Sequence, residues 1–175
     1  LMTAAVAWLP TFYNEVRGMT LIEAGSMVGM MSLAGTLSLI ASSILVLKVH
    51  KRRPFLIIPG IVAGFAGIGS IVLYDNLMIV SLIAMGFACW FYVPVLITIP
   101  MELHASNPER VPIIMGAMMS VGSLFSFISP ITVGMSADLL GSYLPGLVLF
   151  SILSWSLAIC GMLLPETGSS KDRLT

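Results

Sequence analysis

The side chains that most resemble a catalytic pair are Glu102 and His104, a carboxylate and an imidazole two positions apart. Such a pair acts as general acid and base when a protein holds it at a reaction site. Here it follows a long apolar run, and we interpret it as a solvated helix end. Cys89 and Cys160 lie inside apolar runs and are interpreted as small buried hydrophobic residues. The sequence has no Ser-His-Asp order, metal-ligand spacing or phosphate-binding loop, so we predict no catalytic residue, metal site or cofactor.

An aromatic cluster lies beside a proline near the middle of the apolar run 76–101. It contains Trp90 and Tyr92, and Pro94 follows directly. In a membrane helix, Trp and Tyr normally collect at the interfaces, and a central proline frees a carbonyl that a neighbouring helix or a cavity must satisfy. We therefore predict an aromatic wall of a substrate cavity with a hinge at Pro94. Ordinary helix packing around a kink is the alternative.

Small and hydroxyl residues form a stripe along the run 111–137. Ser120 and Ser123 recur at the spacing of one helix face, and Pro130, a second candidate hinge, follows them. Such residues permit close helix packing, which we favour, and they equally line polar pathways. Trp8 and Tyr13 complete the cavity candidates. Trp8 faces a central cavity or, equally, anchors its helix at the outer interface.

Composition defines the elements that must carry these residues. Of 175 residues, 58% are hydrophobic and only 9% are charged, with a net charge of zero. Soluble domains carry about 25% charged residues. This composition excludes a disordered chain, a coiled coil and a nucleic-acid binder with a basic face. It predicts an all-α integral membrane protein, because barrel strands would appear as short alternating segments.

Apolar runs define the predicted crossings. Residues 1–14 form a short piece, which we predict to be a helix truncated in its middle, so that the chain is the C-terminal part of a larger protein. Five further runs are each long enough for a complete transmembrane helix, at approximately 22–47, 54–74, 76–101, 111–135 and 142–165. Residues 1–165 are thus predicted to form one six-helix domain, and residues 166–175 a tail.

The basic residues predict the orientation. If the spans alternate, seven of the eight Lys and Arg residues fall on one side, and only Arg17 falls on the other. Four of the seven form a basic loop between the second and third spans: Lys48, Lys51, Arg52 and Arg53. The positive-inside rule therefore places this loop and the C-terminus in the cytoplasm, and we predict a plasma-membrane location. No charge lies at membrane depth, so any proton-coupling group is expected in a missing part, or is Glu23 or Glu102 at a cavity rim.

Six short motifs occur in a characteristic order along the chain: Trp8 to Tyr13, Val16 to Thr20, Lys48 to Pro54, Asn107 to Arg110, Gly134 to Gly141 and Leu164 to Thr167. Together they resemble the C-terminal half of a major facilitator superfamily transporter, from the middle of its seventh helix to its end. One motif departs from the family pattern Gly-x-x-x-Asp-Arg-x-Gly-Arg-Arg. Ser43, Leu47 and His50 replace its glycine, aspartate and second glycine, and only its basic residues persist, so the resemblance does not establish the loop's gating salt bridge in this half.

The resemblance implies half of a twelve-helix fold that works by alternating access, with substrate bound between two six-helix halves. It implies three partners: the lipid bilayer, a small-molecule substrate and a missing N-terminal half. The first, second, fourth and fifth spans would face the cavity, and the third and sixth would face lipid. Within the superfamily, the chain looks most like carriers of small anions of the cyanate-transporter type.

The residues leave two other functions open. Glycines in the span 54–74 suggest a packing face, which would suit a non-transporting scaffold or a half-size protein that dimerises. A membrane-embedded enzyme is less favoured, since it would need ionisable groups that converge at membrane depth.

Overall fold

A computed structural model of the protein describes residues 1–49, 51–103 and 109–164, and these residues form helices and short connections. The all-α prediction is therefore confirmed. His50, His104 and the predicted tail 166–175 lie outside the described residues. In chain order the helices are α1 (Met2–Arg17), α2 (Leu21–Lys48), α3 (Pro54–Val72), α4 (Asp75–Phe91), α5 (Val93–Leu103), α6 (Arg110–Leu140), α7 (Leu144–Leu153) and α8 (Trp155–Leu163).

Five segments of the described chain are long and apolar enough to cross a membrane, which confirms the predicted number of complete crossings. Helices α2, α3 and α6 each form one crossing. Helices α4 and α5 together form a fourth, Asp75–Glu102, and α7 and α8 together form a fifth, Leu144–Leu163. Helix α1 has 16 residues. It is thus about 24 Å long, shorter than the ~30 Å hydrocarbon core.

Local capping sets several helix ends. The Thr20 hydroxyl accepts from the Glu23 backbone N–H at 3.3 Å, and the Glu23 carboxylate accepts from the Thr20 backbone N–H at 2.9 Å. This reciprocal pair is the capping box that the sequence predicts at the start of α2. Gly18 and Gly141 follow α1 and α6 with φ of 68° and 66°. Both positions need glycine, because side chains with a Cβ rarely adopt this left-handed conformation.

Helix α4 packs between α2 and α3, and close backbone approach holds it against α2. A Cβ at Gly86 would collide with the backbone carbonyl of Met31. About two turns after Met31 on α2, the Ser38 hydroxyl donates a 2.6 Å hydrogen bond to the carbonyl of Phe87. Small residues thus allow the two helix backbones to touch, as is typical of membrane helix pairs.

Helix α3 is the most buried of the five crossings. Its other face packs on α7 and α8 through the glycines that the sequence marks as a packing face. A Cβ at Gly60 would lie 2.6 Å from the backbone nitrogen of Ala158, and one at Gly67 would lie 2.5 Å from the Ser151 hydroxyl oxygen. Gly64 similarly receives the indole ring of Trp155.

Contacts made by side chains join the helix ends at each of the two ends of the helix bundle. At one end, which we call the basic end, Arg52 pairs with Glu102, and the Arg53 guanidinium donates to the Leu164 carbonyl at 2.8 Å. The end of α2 and the start of α3 therefore meet the ends of α5 and α8. The spans consequently alternate in direction, as the orientation argument assumes.

At the opposite end, α1 is fastened to α3 and α7. The Arg17 guanidinium donates to the carbonyls of Ile71 and Leu73, and the Tyr143 hydroxyl donates to the Glu15 carboxylate at 2.9 Å. Helix α6 ends here, just before Tyr143, and it therefore begins at the basic end.

Candidate functional site

The long segment that carries the aromatic cluster is interrupted at Tyr92, where α4 ends and α5 begins. Pro94 has no N–H to donate to the carbonyl of Trp90 four residues earlier. The backbone N–H of Tyr92 donates to that carbonyl instead. The interruption therefore lies at the predicted hinge, and movement about it stays a prediction.

An open groove of about 1010 Å³ separates this interruption from α6, and we call it the central groove. Trp90, Tyr92 and Leu96 line its α4–α5 wall, and Ser123 and Ser126 line the facing α6 wall. Several methionines of α6 complete the lining. Methionine side chains adapt readily to different apolar shapes, so this wall suits a variable or moving contact.

The two walls of the central groove lie at matching depth. Trp90 precedes Glu102 by 12 residues, and Ser123 follows Arg110 by 13 residues. At ~1.5 Å per helical residue, both lie about 18–20 Å from the basic end. Since the α4–α5 segment is about 42 Å long, the groove is near the middle of the crossing.

Helix α2 positions the indole of Trp90. Gly35 leaves space for this ring, because a Cβ at that position would collide with it. The Trp90 side chain remains 38% exposed. Its ring is therefore supported from behind by α2 while part of its surface faces the groove.

Half of the six predicted cavity residues line the central groove, namely Trp90, Tyr92 and Ser123. Ser120 is exposed on α6 but lies outside this lining. Ser126 lines the groove and was not among the predicted residues, although it continues the three-residue spacing from Ser120 through Ser123. That these side chains contact a substrate stays a prediction.

Trp8 and Tyr13 lie in helix contacts, and the central groove is built without them. The Trp8 indole donates a 2.7 Å hydrogen bond to the Pro130 carbonyl, and its ring packs against Gly134. Tyr13 is completely buried and donates a 2.8 Å hydrogen bond to the carbonyl of Ser70 in α3. Burial against neighbouring helices explains why these aromatic residues are tolerated within an apolar segment.

Pro130, the second predicted hinge, lies within a continuous helix. Helix α6 extends through it, from Arg110 to Leu140. Proline leaves the carbonyl of Ser126 without its usual donor, and the Ser129 hydroxyl donates to that carbonyl at 3.2 Å. Local side-chain compensation thus keeps α6 helical at this point.

A salt bridge between Arg52 and Glu102 forms a clamp at the basic end. The Arg52 Nη2 atom lies 2.7 Å from Glu102 Oε1, and Nε lies 3.1 Å from the same oxygen. Arg52 Nη1 also donates to the carbonyls of Val46 and Val49, at 2.8 and 3.0 Å. One side chain therefore joins the end of α2, the start of α3 and the end of α5.

The sequence does not indicate this pair, because Arg52 and Glu102 are 50 positions apart. The interpretation of Glu102 as a solvated helix end is corrected by its salt bridge with Arg52, one of the four predicted loop cations. The two side chains are only 13% and 19% exposed. The basic loop still forms an ion pair although Leu47 replaces the aspartate of the family motif, because Glu102 of α5 supplies the carboxylate. The other predicted loop cations, Lys48, Lys51 and Arg53, are exposed.

The described lining of the central groove consists of apolar, aromatic and hydroxyl side chains and one glycine. In the lining that the structure describes, there is no Lys, Arg, Asp or Glu side chain. Among the described residues, no cluster of His, Cys, Asp or Glu could hold a metal ion. The described part of the groove therefore offers aromatic surface, thioethers and hydroxyl groups.

Comparison with known proteins gives one match. No curated protein and no solved structure matches the chain significantly. A sequence model of the Major Facilitator Superfamily matches residues 1–130, which include α1 to α5 and most of α6. The match agrees with the ordered motifs, the five apolar crossings and the alternating helices. The chain therefore belongs to the major facilitator superfamily, a family of membrane transporters.

Proposed function

We propose that this chain forms one half of a secondary active transporter, which moves a small solute by alternating access. The solute binds in the central groove, between the aromatic break at Trp90 and Tyr92 and the hydroxyl groups of Ser123 and Ser126. The observation that most supports this proposal is that the interruption between α4 and α5 faces the serines of α6 at the same depth. Substrate sites at the midplane beside broken helices are typical of secondary transporters.

The exposed surface of α6 supports the proposal that a second six-helix unit completes the site. Only Ser129 and Val133 of this 31-residue helix are buried. Its exposed side includes Leu124, Phe125 and Phe127, which are 56%, 61% and 69% exposed. Lipid can cover an apolar helix surface of this kind, but the groove wall on α6 also leaves room for a partner, either an N-terminal half or a second copy of this chain.

The chemistry of the groove bears on the substrate. Trp90 and Tyr92 offer flat apolar surface, and the serines offer hydrogen bonds that fix orientation. An anionic solute would need its counter-charge from the second unit or from a helix terminus, because no cationic side chain lines the groove among the residues that the structure describes.

Uptake by the intact protein in proteoliposomes tests the site. After a solute screen has identified a substrate, Trp90→Ala and Ser123→Ala should raise KM about tenfold, because each removes a contact worth about 1–1.5 kcal/mol. Ser156→Ala is the matched control, since Ser156 is exposed on α8, away from the groove. Unchanged KM and kcat in both groove variants would contradict the proposed site.

The same preparation distinguishes the two possible partners. Uptake by a protein that contains only this chain, as a dimer in native mass spectrometry, would assign the second wall to another copy. Uptake that requires an additional N-terminal segment would assign it to that segment. Absence of uptake for every solute in the screen would favour a scaffold.

A further inference from the structure

A second groove, of about 390 Å³, lies among α2, α3 and α4, and we call it the outer groove. Its floor is formed by Phe87 and Phe91 of α4, and Leu45 of α2 lies on one wall. Helix α3 forms the other wall through Pro54, Phe55, Ile58, Pro59 and Val62. These residues recur at intervals of three and four positions, so they lie on one face of α3. All of these side chains are apolar.

The outer groove is separate from the central groove. Phe87 and Phe91 are one turn apart on α4, whereas Trp90, which lines the central groove, lies about 60° from Phe87 and about 100° from Phe91 around the helix. The two grooves therefore lie on different sides of α4. Ile58 and Val62 are 60% and 38% exposed, which leaves the outer groove open to its surroundings.

The length of the outer groove matches one leaflet of a bilayer. From Pro54, at the basic end, to Val62 there are eight residues of α3, or about 12 Å. Half of a ~30 Å hydrocarbon core is about 15 Å. The groove thus begins at the basic end and stops near the midplane, over the depth that one acyl chain occupies.

Two cations lie within three residues of side chains that line the outer groove near the basic end. Lys48 follows Leu45 by three residues on the same face of α2, and Lys51 precedes Pro54 by three residues. Both lysines are exposed, and the described chain shows no ion pair for either. The adjacent cations Arg52 and Arg53 do have partners within the protein, since Arg52 binds Glu102 and Arg53 binds the Leu164 carbonyl.

From this arrangement we infer that the outer groove binds an anionic glycerophospholipid of the adjacent leaflet. One acyl chain fills the apolar channel, and the headgroup phosphate lies between Lys48 and Lys51. Lysines at a membrane surface extend to the headgroup level and attract anionic lipids. Because the bound lipid contacts α2, α3 and α4 beside the Arg52–Glu102 clamp, it also stabilises the basic end.

Lipid binding to the intact, delipidated protein in detergent tests this inference. Phosphatidylglycerol should remain bound in native mass spectrometry and should raise the midpoint of thermal unfolding. Phosphatidylcholine with the same acyl chains should do so at least tenfold more weakly, because it lacks the net negative charge. Glycerol 3-phosphate should have no effect, because it lacks the acyl chain that fills the groove.

Two sets of variants, each with its own control, locate the site. Lys48→Gln and Lys51→Gln should each weaken phosphatidylglycerol binding about fivefold, since one lysine near an anionic surface contributes about that factor. Arg110→Gln, an exposed cation at the same end but on α6, should leave binding unchanged. Val62→Trp should fill the groove and abolish the lipid's stabilising effect, whereas Val72→Trp, exposed at the far end of α3, should not.

Several results would overturn the inference. Equal binding of both lipids, or undiminished binding in the double variant Lys48→Gln/Lys51→Gln, would eliminate the headgroup site. Undiminished stabilisation of Val62→Trp by phosphatidylglycerol would eliminate the acyl-chain site. Dissociation of a protein subunit by Val62→Trp, without any lipid bound to the original protein, would assign the groove to that subunit. The lysine variants keep the test decisive, because both positions are exposed and tolerate substitution.

Discussion

Individual aromatic residues in this chain have different roles that depend on what surrounds them. Tyr13 and Tyr92 both lie in apolar segments, yet Tyr13 is fully buried between α1 and α3, and Tyr92 lines the central groove. A buried phenol needs an acceptor, and the Ser70 carbonyl supplies one. Tyr13 therefore contributes to stability, whereas Tyr92 lines the groove that we propose as the substrate site.

Tyr13→Phe should lower the stability of the protein by about 1 kcal/mol, because it removes one buried hydrogen bond and leaves the ring in place. KM for the transported solute should not change. Thermal unfolding in detergent and uptake kinetics measure the two effects. A raised KM with unaltered stability would instead return Tyr13 to the substrate cavity.

Glu102→Gln should lower stability by about 2 kcal/mol, because it leaves the partly buried Arg52 guanidinium without its carboxylate. Glu109→Gln is the matched control, since Glu109 is exposed at the same end and makes no capping hydrogen bond. We expect the Glu102 variant also to favour conformations that are open at the basic end. The thermal midpoint tests the first effect, and labelling of a cysteine introduced at Ser126 tests the second.

At the scale of helices, two kinds of surface account for the architecture. Helices α2, α3 and α4 touch through small residues and are fixed relative to one another, as at Gly86 and Met31. Helix α6 contacts its neighbours mainly near the opposite end, through the Trp8 contact and Gly146 of α7 against Val133. The closely packed group thus lies beside a sparsely packed helix, on which the proposed second unit would dock.

Gly86→Ala should destabilise the protein by about 2 kcal/mol, because the added methyl group has to displace the backbone of α2. Gly29→Ala is the control on α2, where a Cβ meets nothing within 4 Å. This control should be neutral or slightly stabilising, because alanine has the higher helix propensity. Equal thermal midpoints for the two variants would show that α2 and α4 do not pack this closely.

At the scale of the whole molecule, charge distribution predicts which end faces the cytoplasm. The structure gathers Lys51, Arg52 and Arg53 at the basic end, with Arg110 at the start of α6 on the same side. Glu15, Glu23 and Asp138 lie toward the opposite end. This asymmetry is the positive-inside pattern.

Cysteine labelling on intact cells tests the orientation. In a background without Cys89 and Cys160, Lys51→Cys should resist a membrane-impermeant maleimide until the cells are opened. Asp138→Cys should react from outside, since this side chain is exposed near the opposite end. Labelling of the Lys51 variant in sealed cells would reverse the assigned orientation.

The sequence predicted more of the fold than of the site. Apolar runs bounded by charges indicated five crossings, because each helix has to satisfy its own backbone inside the bilayer. Helical spacing also placed Ser123 on a stripe of small residues, one side of which lines the central groove, and it placed Pro94 at an interruption. Spacing did not distinguish Ser120 from Ser126, because a wide exposed face carries both, and only the neighbouring helix decides which one lines the groove.

By itself, the sequence determined the class of protein, its number of crossings and its family, since these depend on local hydrophobicity, charge and motif order. Only the tertiary structure decided that Trp8 and Tyr13 hold helices together, that Arg52 binds Glu102, and that two grooves lie on different sides of α4. Those facts depend on contacts between residues far apart in the chain. Burial and hydrogen bonding across helices, rather than residue type, assign each side chain its role.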